Sequence, residues 1–270
     1  MNVACCLAVK NCGEYLERIF HNLNELSTLF KNFYVIFVYD DNTTDNSPQL
    51  LEDYKNNSNF KVYTSKLQSN NSPFNTCRIA RARNECLRIV YSIIKCVDFH
   101  FVIDADDVNC YNWDIALIER YLTRNDWDAL SFNRPDYYDI WALLFDNYKH
   151  HCWGFNNSNS KIVEIMRQDI QNRLSKTEDL LDCYSAFNGF GIYRTSKFKN
   201  CFYSGLYKDI KRLISDKERQ ETIDFLKENK QIETGINNNF VEQCEHIYYH
   251  MSASKLYNAR IVISRFNLII

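Results

Sequence analysis

The sequence predicts an α/β protein with a mainly parallel central sheet flanked by helices. Three observations carry this. Residues 3–9 (VACCLAV) form an unbroken apolar run, as a strand covered on both faces requires. Leu16, Ile19, Phe20, Leu23, Leu26 and Phe30 then recur at helical spacing. The same strand-then-helix order continues through the first 110 residues, the pattern of right-handed crossovers in a parallel sheet.

The remaining elements follow in order. Residues 33–39 are a second aromatic and β-branched run. Ser47-Pro48 opens a helix, with a hydroxyl to cap it and a proline in its first turn. Residues 60–64 read as a third strand. Ile79, Ala82, Cys86, Val90 and Ile93 mark a long helix. Residues 99–103 are a fourth strand ending in Asp104-Ala105-Asp106-Asp107, and a helix begins near Trp113. The second half is less regular. It carries a strand near 129–133, helices near 161–174 and 216–229, and short strands near 187–193, 239–243 and 260–264. Asn-rich stretches at 56–59, 69–72 and 156–160 read as surface loops. No repeat or Gly/Ser linker divides the chain, so residues 1–270 are expected to form one domain.

Composition excludes several classes of protein. The chain has 270 residues and a mass of 32.2 kDa; 46 % of residues are hydrophobic and 24 % charged. Its 18 Phe, 18 Tyr and 4 Trp can fill a core, which excludes a disordered chain. A net charge of −2 offers no basic field for nucleic acid or anionic membrane. No apolar run approaches the ~20 residues of a membrane span. Eleven cysteines, an odd number without a single CxxC, argue against a zinc ribbon and against a fully paired secreted scaffold. The first apolar stretch lacks the basic flank of a signal peptide. Asn42-Thr43-Thr44 is a glycosylation sequon within a candidate site; others begin at Asn56, Asn70 and Asn156. A glycan on Asn42 would block that site, and unpaired thiols suit a reducing compartment. The expected setting is cytoplasm, of a cell or of an infected host.

In an open parallel sheet, ligands bind beyond the carboxyl ends of the strands. Lys10 and Asn11 follow the first strand, Asp40-Asp41-Asn42-Thr43-Thr44-Asp45 the second, and the Asp104–Asp107 cluster the fourth. Extended residues two apart share a side, so Asp104 and Asp106 face one ligand. Two facing carboxylates repel unless a cation lies between them, and hard oxygen ligands suit Mg²⁺ or Mn²⁺. The alternative is an acidic turn capping the next helix. Residues 40–47 read either as turn and cap chemistry or as a carboxylate receiving a nucleobase N–H. Neither GxGxxG nor GxxxxGK[ST] occurs, which leaves a Rossmann site and a P-loop unsupported.

These residues carry a resemblance. VYDDNTTDNS resembles the "DDxSxDxS" turn of family-two glycosyltransferases of the GT-A fold. ARARNECLRI resembles their helix bearing "aRN", and FHFVIDADD their strand ending in DxD. Order and spacing agree over about residues 2–110. Weaker likenesses follow. Residues 137–143 resemble a "YYDxWALR" segment of viral and fungal cap-type transferases, and residues 185–194 a glycine-bearing strand lining the sugar site. Residues 242–246 fall at the family's late acidic motif. Lys10 stands where Arg is common, Leu144 replaces the Arg after "WAL", and Cys244-Glu245-His246 replaces the usual "ED".

The resemblance implies a GT-A fold, with a nucleotide-binding half at 1–110 and an acceptor-side half at 111–270. It implies a hexosyltransferase that moves a sugar from a nucleotide-diphosphate sugar, UDP favoured, to a hydroxyl of a glycan, protein or small molecule, using Mn²⁺ or Mg²⁺. Ala8, Val9 and Lys10 would flank the base, Asp41 would accept its N–H, and Asp104 would hold the ribose beside Asp106 and Asp107. Arg78 or Arg83 would lie near the phosphates. Asp104, Asp106 and His246 would ligate the metal. Asp139, Trp141, Asn188 and Gly189 would line the sugar or acceptor pocket, and Glu245 would be the general base.

Each role has a plainer alternative. Arg78, Arg81 and Arg83 can form a solvated helix face, and Glu245 can pair with a Lys or Arg. His246 and His250 can be structural, sharing a face of a helix or one side of a strand. His150-His151 reads as a solvated loop pair, Trp141 as core, and Asn188-Gly189 as a turn. Function also has alternatives. One is a retaining GDP- or UDP-sugar transferase of cap type, and another an inactive nucleotide-sugar-binding protein. A nucleotidyltransferase would want a Gly- and Arg-rich loop that residues 9–14 do not supply.

Overall fold

The computed structural model describes residues 1–69, 72–145, 160–218, 220–221, 224 and 242–270. Its strands are β1 (Asn2–Val9), β2 (Asn32–Asp40), β3 (Lys61–Leu67), β4 (Phe99–Asp104), β5 (Ala129–Asn133), β6 (Leu180–Cys183), β7 (Phe190–Arg194) and β8 (Ile261–Asn267). They form one sheet in the order β3-β2-β1-β4-β7-β5-β8-β6. β1 pairs in parallel with β2 and β4, and β2 with β3. β7 lies antiparallel between β4 and β5, β8 runs parallel to β5, and β6 closes the edge antiparallel to β8. The sheet is therefore mixed: β3, β2, β1 and β4 are all parallel, and the second half joins one parallel pair to antiparallel ones.

β1 explains why its run is apolar throughout. Val3, Cys5, Leu7 and Val9 belong to one core, and Ala4 and Cys6 to the core on the other face. Helix α1 (Gly13–Ser27) covers the first face with Leu16, Ile19, Leu23 and Leu26, all fully buried. Helix α3 (Asn75–Ile89) covers the second with Ala80, Cys86 and Leu87. α2 (Ser47–Asn57) packs on the α1 side, where Leu51 joins that core.

α2 begins at the expected residue, but the Ser47 hydroxyl does not cap it. That hydroxyl accepts from the Cys12 amide at 2.9 Å and donates to Asp45 at 2.9 Å. Asp45 also accepts from the Gly13 amide at 2.8 Å. The polar turn after β2 thus ties the start of α1 to the start of α2. A side chain at Gly13 would collide with Asn46, since an added Cβ would lie 2.0 Å from its Oδ1.

The second half holds α4 (Ile115–Leu122), α5 (Ser160–Ser175), the short α6 (Tyr207–Ile210) and α7 (Glu245–Tyr257). The strand expected at 187–193 begins only at Phe190, because Asn188 and Gly189 take left-handed backbone at φ 113° and 90°. Most of the helix expected at 216–229 and of the strand expected at 239–243 falls outside the described residues, as do His150, His151, Asn70 and Asn156. Among the described residues no helix is long and apolar enough to cross a membrane.

Register decides where the site lies. Ala8 pairs with Val38 on one side and with Asp104 on the other. The chain turns out of β1, β2 and β4 at one level, so the residues that follow them share one edge. The strand order also reverses there: β2 and β3 lie on one side of β1 and β4 on the other, which opens a crevice.

Candidate active site

Two adjoining cavities occupy that edge. A small one, of about 120 Å³, is walled by Ala8, Val9, Lys10, Tyr39, Asp40 and Leu67 below and by Arg78, Ile79 and Arg81 of α3 above. A larger one, of about 750 Å³, is lined by Arg83, Asp104, Asp106, Asp139, Trp141, Glu242 and Glu245, with Tyr138 and Thr76. Ala8, Lys10, Asn75 and Ile79 belong to both walls. A slot therefore opens directly into an acidic chamber.

Arg83 is the hub of the chamber. It is 6 % exposed, so it does not form a solvated helix face. Nη2 donates to Asp104 Oδ1 at 2.8 Å, and Nη1 donates to Glu245 Oε1 and meets His246 Nε2. Its guanidinium carbon lies 4.8 Å from the centre of the Phe187 ring. Burial works against the charge of Arg83, but Glu245 and Asp104 outweigh it and hold the group more firmly protonated than usual. Glu245 is buried too; burial pushes its pKa up while Arg83 opposes the rise. It sits in the first turn of α7, where the helix dipole also favours a carboxylate.

The Asp104 turn is built with equal care. Tyr138 donates its hydroxyl to Asp104 Oδ2. The Gly189 carbonyl accepts from the Asp104 amide at 2.9 Å and from Asn109 Nδ2 at 2.8 Å. Asn188 bonds the Phe132 carbonyl and the Asp139 amide. Asn188 and Gly189 lie outside the linings of these two cavities, behind the Asp104 turn. The glycine serves that packing: an added Cβ would lie 2.6 Å from Val108. Asp106 lies on the chamber wall, and burial with the nearby Asp104 pushes its pKa up to about 6. Asp107 is exposed and lies outside both linings.

Other expected residues fall differently. Asp41 is exposed and accepts from the Ser69 amide at 2.6 Å, while Asp40 stands on the slot wall. The turn after β2 rotates the second carboxylate outward and keeps the first, which pairs with Lys10 at 3.5 Å. Arg78 reaches the slot but is held by the Ser72 carbonyl at 2.6 Å. His246 is 1 % exposed, stacked 3.9 Å from Phe187, with Nε2 against Arg83 and 4.0 Å from Glu245 Oε1. Burial, Arg83 and His250 all lower its pKa, so the ring is neutral. Among the described residues it forms no group of three metal-binding side chains with Asp104 and Asp106.

Tyr138 and Glu242 enter the site without having been assigned roles. Glu242 caps α3, accepting from the Thr76 amide at 3.0 Å and its hydroxyl at 2.9 Å. Their places in the YYD and EQCEH segments were the available signal.

A divalent cation fits this chamber through its donor chemistry. Asp104 and Asp106 crowd each other, which a positive ion would relieve. Among the described residues no group of three or more His, Cys, Asp or Glu could hold a metal by itself. Two carboxylates leave positions for phosphate oxygens and water, the usual condition of Mg²⁺ or Mn²⁺ at a nucleotide.

Asp139 is half-buried on the same wall, and burial, Asp104 and Glu245 push its pKa up to about 7. One oxygen accepts from the Ala142 amide at 3.2 Å; among the described residues the other has no donor. A carboxyl raised in the native state is penalised when ionised and regains stability as pH falls from above 7 toward the ordinary range near 4. Asp139→Asn should therefore be more stable than the parent at pH 8, by roughly 2 kcal/mol, with the gain closing by pH 4.5. Urea midpoints of the ligand-free proteins at both pH values check this; an equal difference at both would refute it.

No curated protein matches the chain in sequence. Among solved structures, TarS 1–349 from S. aureus, crystallised with UDP, shares 15 % identity over 83 % of this chain and 55 % of its own, with a TM-score of 0.46. The mannosyltransferase PcManGT from Pyrobaculum calidifontis, with GDP-Man and Mn²⁺, shares 12 % over 75 % and 47 %, with a TM-score of 0.48. Core-mannan synthase A from Aspergillus fumigatus, in its Mn/GDP form, shares 10 % over 96 % and 71 %, with a TM-score of 0.37. The chain spans about half the length of the TarS fragment. Residues 5–202 match the sequence profile described as glycosyl transferase family 2, and the chain belongs to that family.

Proposed function

We propose that this chain transfers a sugar from a nucleotide-diphosphate sugar, with UDP favoured, to an acceptor hydroxyl, and that it uses Mn²⁺ or Mg²⁺. The observation that carries the reading is the joined pair of cavities. The slot, of about 120 Å³, has the Asp40 carboxylate on its wall to receive a base N–H, with Lys10 beside it. The chamber beyond holds five carboxylates, Asp104, Asp106, Asp139, Glu242 and Glu245, against the two cations Lys10 and Arg83. Such a wall repels a bare diphosphate, so a cation must accompany it. When bound, that ion offsets the charge gathering on the leaving nucleoside diphosphate.

The chain's own residues do the rest. Asp106, with Asp104 beside it, holds the ion. Arg83 holds the aim of Asp104 through its Nη2 bond at 2.8 Å. Trp141 offers an aromatic face to a sugar. For the proton of the acceptor hydroxyl, the geometry favours Asp139 over Glu245: Asp139 keeps one oxygen open to the chamber, while Arg83 engages Glu245. Residues 1–110 supply the slot and both metal-holding acids, and the second half supplies Asp139, Trp141, Glu242 and Glu245.

A panel of UDP- and GDP-sugars, assayed for released nucleoside diphosphate with Mn²⁺ and with EDTA, tests the reading. Turnover is expected with a UDP-sugar and Mn²⁺ and is lost with EDTA. Binding without turnover across the panel would favour an inactive binding protein, and inversion or retention at the anomeric carbon separates direct attack from the cap-type alternative.

The proposed compartment is cytoplasm. The ten described cysteines are free, and Cys5, Cys6 and Cys86 are buried in the core. Thiol titration of the denatured protein should find nearly all eleven reduced. Several disulfides, or a glycan on Asn42 in an active sample, would overturn the placement.

A further inference from the structure

Behind the chamber wall lies a column of buried polar side chains that the proposed reaction does not touch. It starts at Arg83. The two protons on Nη1 go to Glu245 Oε1 and to His246 Nε2. A guanidinium only donates, so His246 Nε2 accepts and the ring carries its proton on Nδ1. That Nδ1 faces the Tyr193 hydroxyl at 3.4 Å. With its oxygen accepting there, Tyr193 directs its own proton to His250 Nε2, 3.2 Å away. His250 then carries its proton on Nδ1 as well, 2.8 Å from Ser185 Oγ. Donors and acceptors thus run in one direction from Arg83 to Ser185. His246, Tyr193, His250 and Ser185 are each at most 1 % exposed, and none lines the chamber.

A second observation shows that the column is built. β7 carries Gly191, and an added Cβ there would lie 2.7 Å from the Tyr193 hydroxyl. The glycine clears the space in which that hydroxyl joins the two histidines. Burial also keeps both rings neutral, as alternating donors and acceptors require; the pKa of His250 falls to about 3.

We propose that Ser185, His250, Tyr193 and His246 form a positioning column that fixes the aim of Arg83 between Asp104 and Glu245. The proposal rests on reading the chamber as the nucleotide-sugar site. Its physical content is preorganisation. A long guanidinium stem held only by two carboxylates can follow either of them, whereas one fixed from behind holds both in place before donor arrives. A polar cluster that merely fills the core would affect stability and leave turnover unchanged.

Long-range ¹H–¹⁵N spectra of the histidine rings in ligand-free protein test the column directly. His246 and His250 should both be neutral with the proton on Nδ1. Tyr193→Phe keeps the ring and removes the oxygen that links the histidines. It should lower kcat roughly tenfold, the size of one buried hydrogen bond, with donor KM within twofold. His246→Gln, whose amide oxygen can accept from Arg83, should recover activity relative to His246→Phe. If Tyr193→Phe fails to fold, Ser185→Ala removes the terminal acceptor and should act in the same direction. A proton on Nε2 of His246, or kcat within twofold of the parent in the folded variant, overturns the column. A parent protein that turns over no nucleotide sugar defeats the functional reading alone, and the ring spectra still decide the column.

Discussion

Asp106→Asn should lower turnover by roughly 10²–10³-fold at saturating donor and Mn²⁺ while leaving the fold at least as stable. Burial on the chamber wall, and then the neighbouring Asp104, push the pKa of Asp106 up to about 6. Asn keeps the local structure, because among the described residues the Asp106 side chain accepts one bond, from the Val108 amide at 3.2 Å, and an amide oxygen can accept it equally. What it removes is a negative charge, which costs the native state stability without the ion and binds the ion when it is present. The two effects therefore separate. The urea midpoint at pH 7.5 should hold or rise, while Mn²⁺ affinity by calorimetry and kcat both fall. EDTA should reproduce the loss in the parent. Activity within about threefold of the parent would remove Asp106 from the site.

The first half of the fold was legible because its strands are buried on both faces and its helices on one. β1 shows a continuous apolar run, and α1 repeats Leu16, Ile19, Leu23 and Leu26 toward one core. The second half lacks such signals. α7 went unseen because it is buried on nearly every face: His246, Ile247, Tyr249, His250, Met251, Ser252 and Ala253 are all internal, so no apolar stripe alternates with a polar one. β6 has only four residues, too few for alternation to show.

The site was legible at the level of strand ends. Asp104 and Asp106 do share one cavity with Ala8 and Lys10, as the order of strands requires. Which carboxylate of Asp40-Asp41 faces inward was not legible, since a turn fixes it through a bond to Ser69, 28 residues away. His246 illustrates the same limit. The family resemblance implied a ligand role for it, whereas its Nε2 meets Arg83, 163 residues away. Long-range ion pairs leave no local periodicity.

That ion-paired arginine supplies the other large expected effect. Arg83→Met should destabilise the protein by about 3–5 kcal/mol, the cost of leaving buried charges without their counter-ion. The side chain of Arg83 is 7 % exposed, that of Glu245 is 6 % exposed, and Asp104 is 22 % exposed. Met fills much of the volume between Phe187 and Tyr203, so the loss reports charge more than packing. Lys would keep the charge, but a single ammonium cannot reproduce a fork that serves Asp104, Glu245 and His246 together. The decisive comparison is the double variant. If Arg83 is present chiefly to balance carboxylates, adding Glu245→Gln to Arg83→Met should restore about half of the lost stability, since it removes the most deeply buried of the unpaired charges. Urea midpoints of the parent, both single variants and the double variant give the coupling directly. Additive losses would mean that Glu245 and Arg83 do not depend on each other. Both Arg83 variants should nonetheless stay inactive, because neutralising Glu245 restores the balance of charge in the wall and does not restore the aim of Asp104.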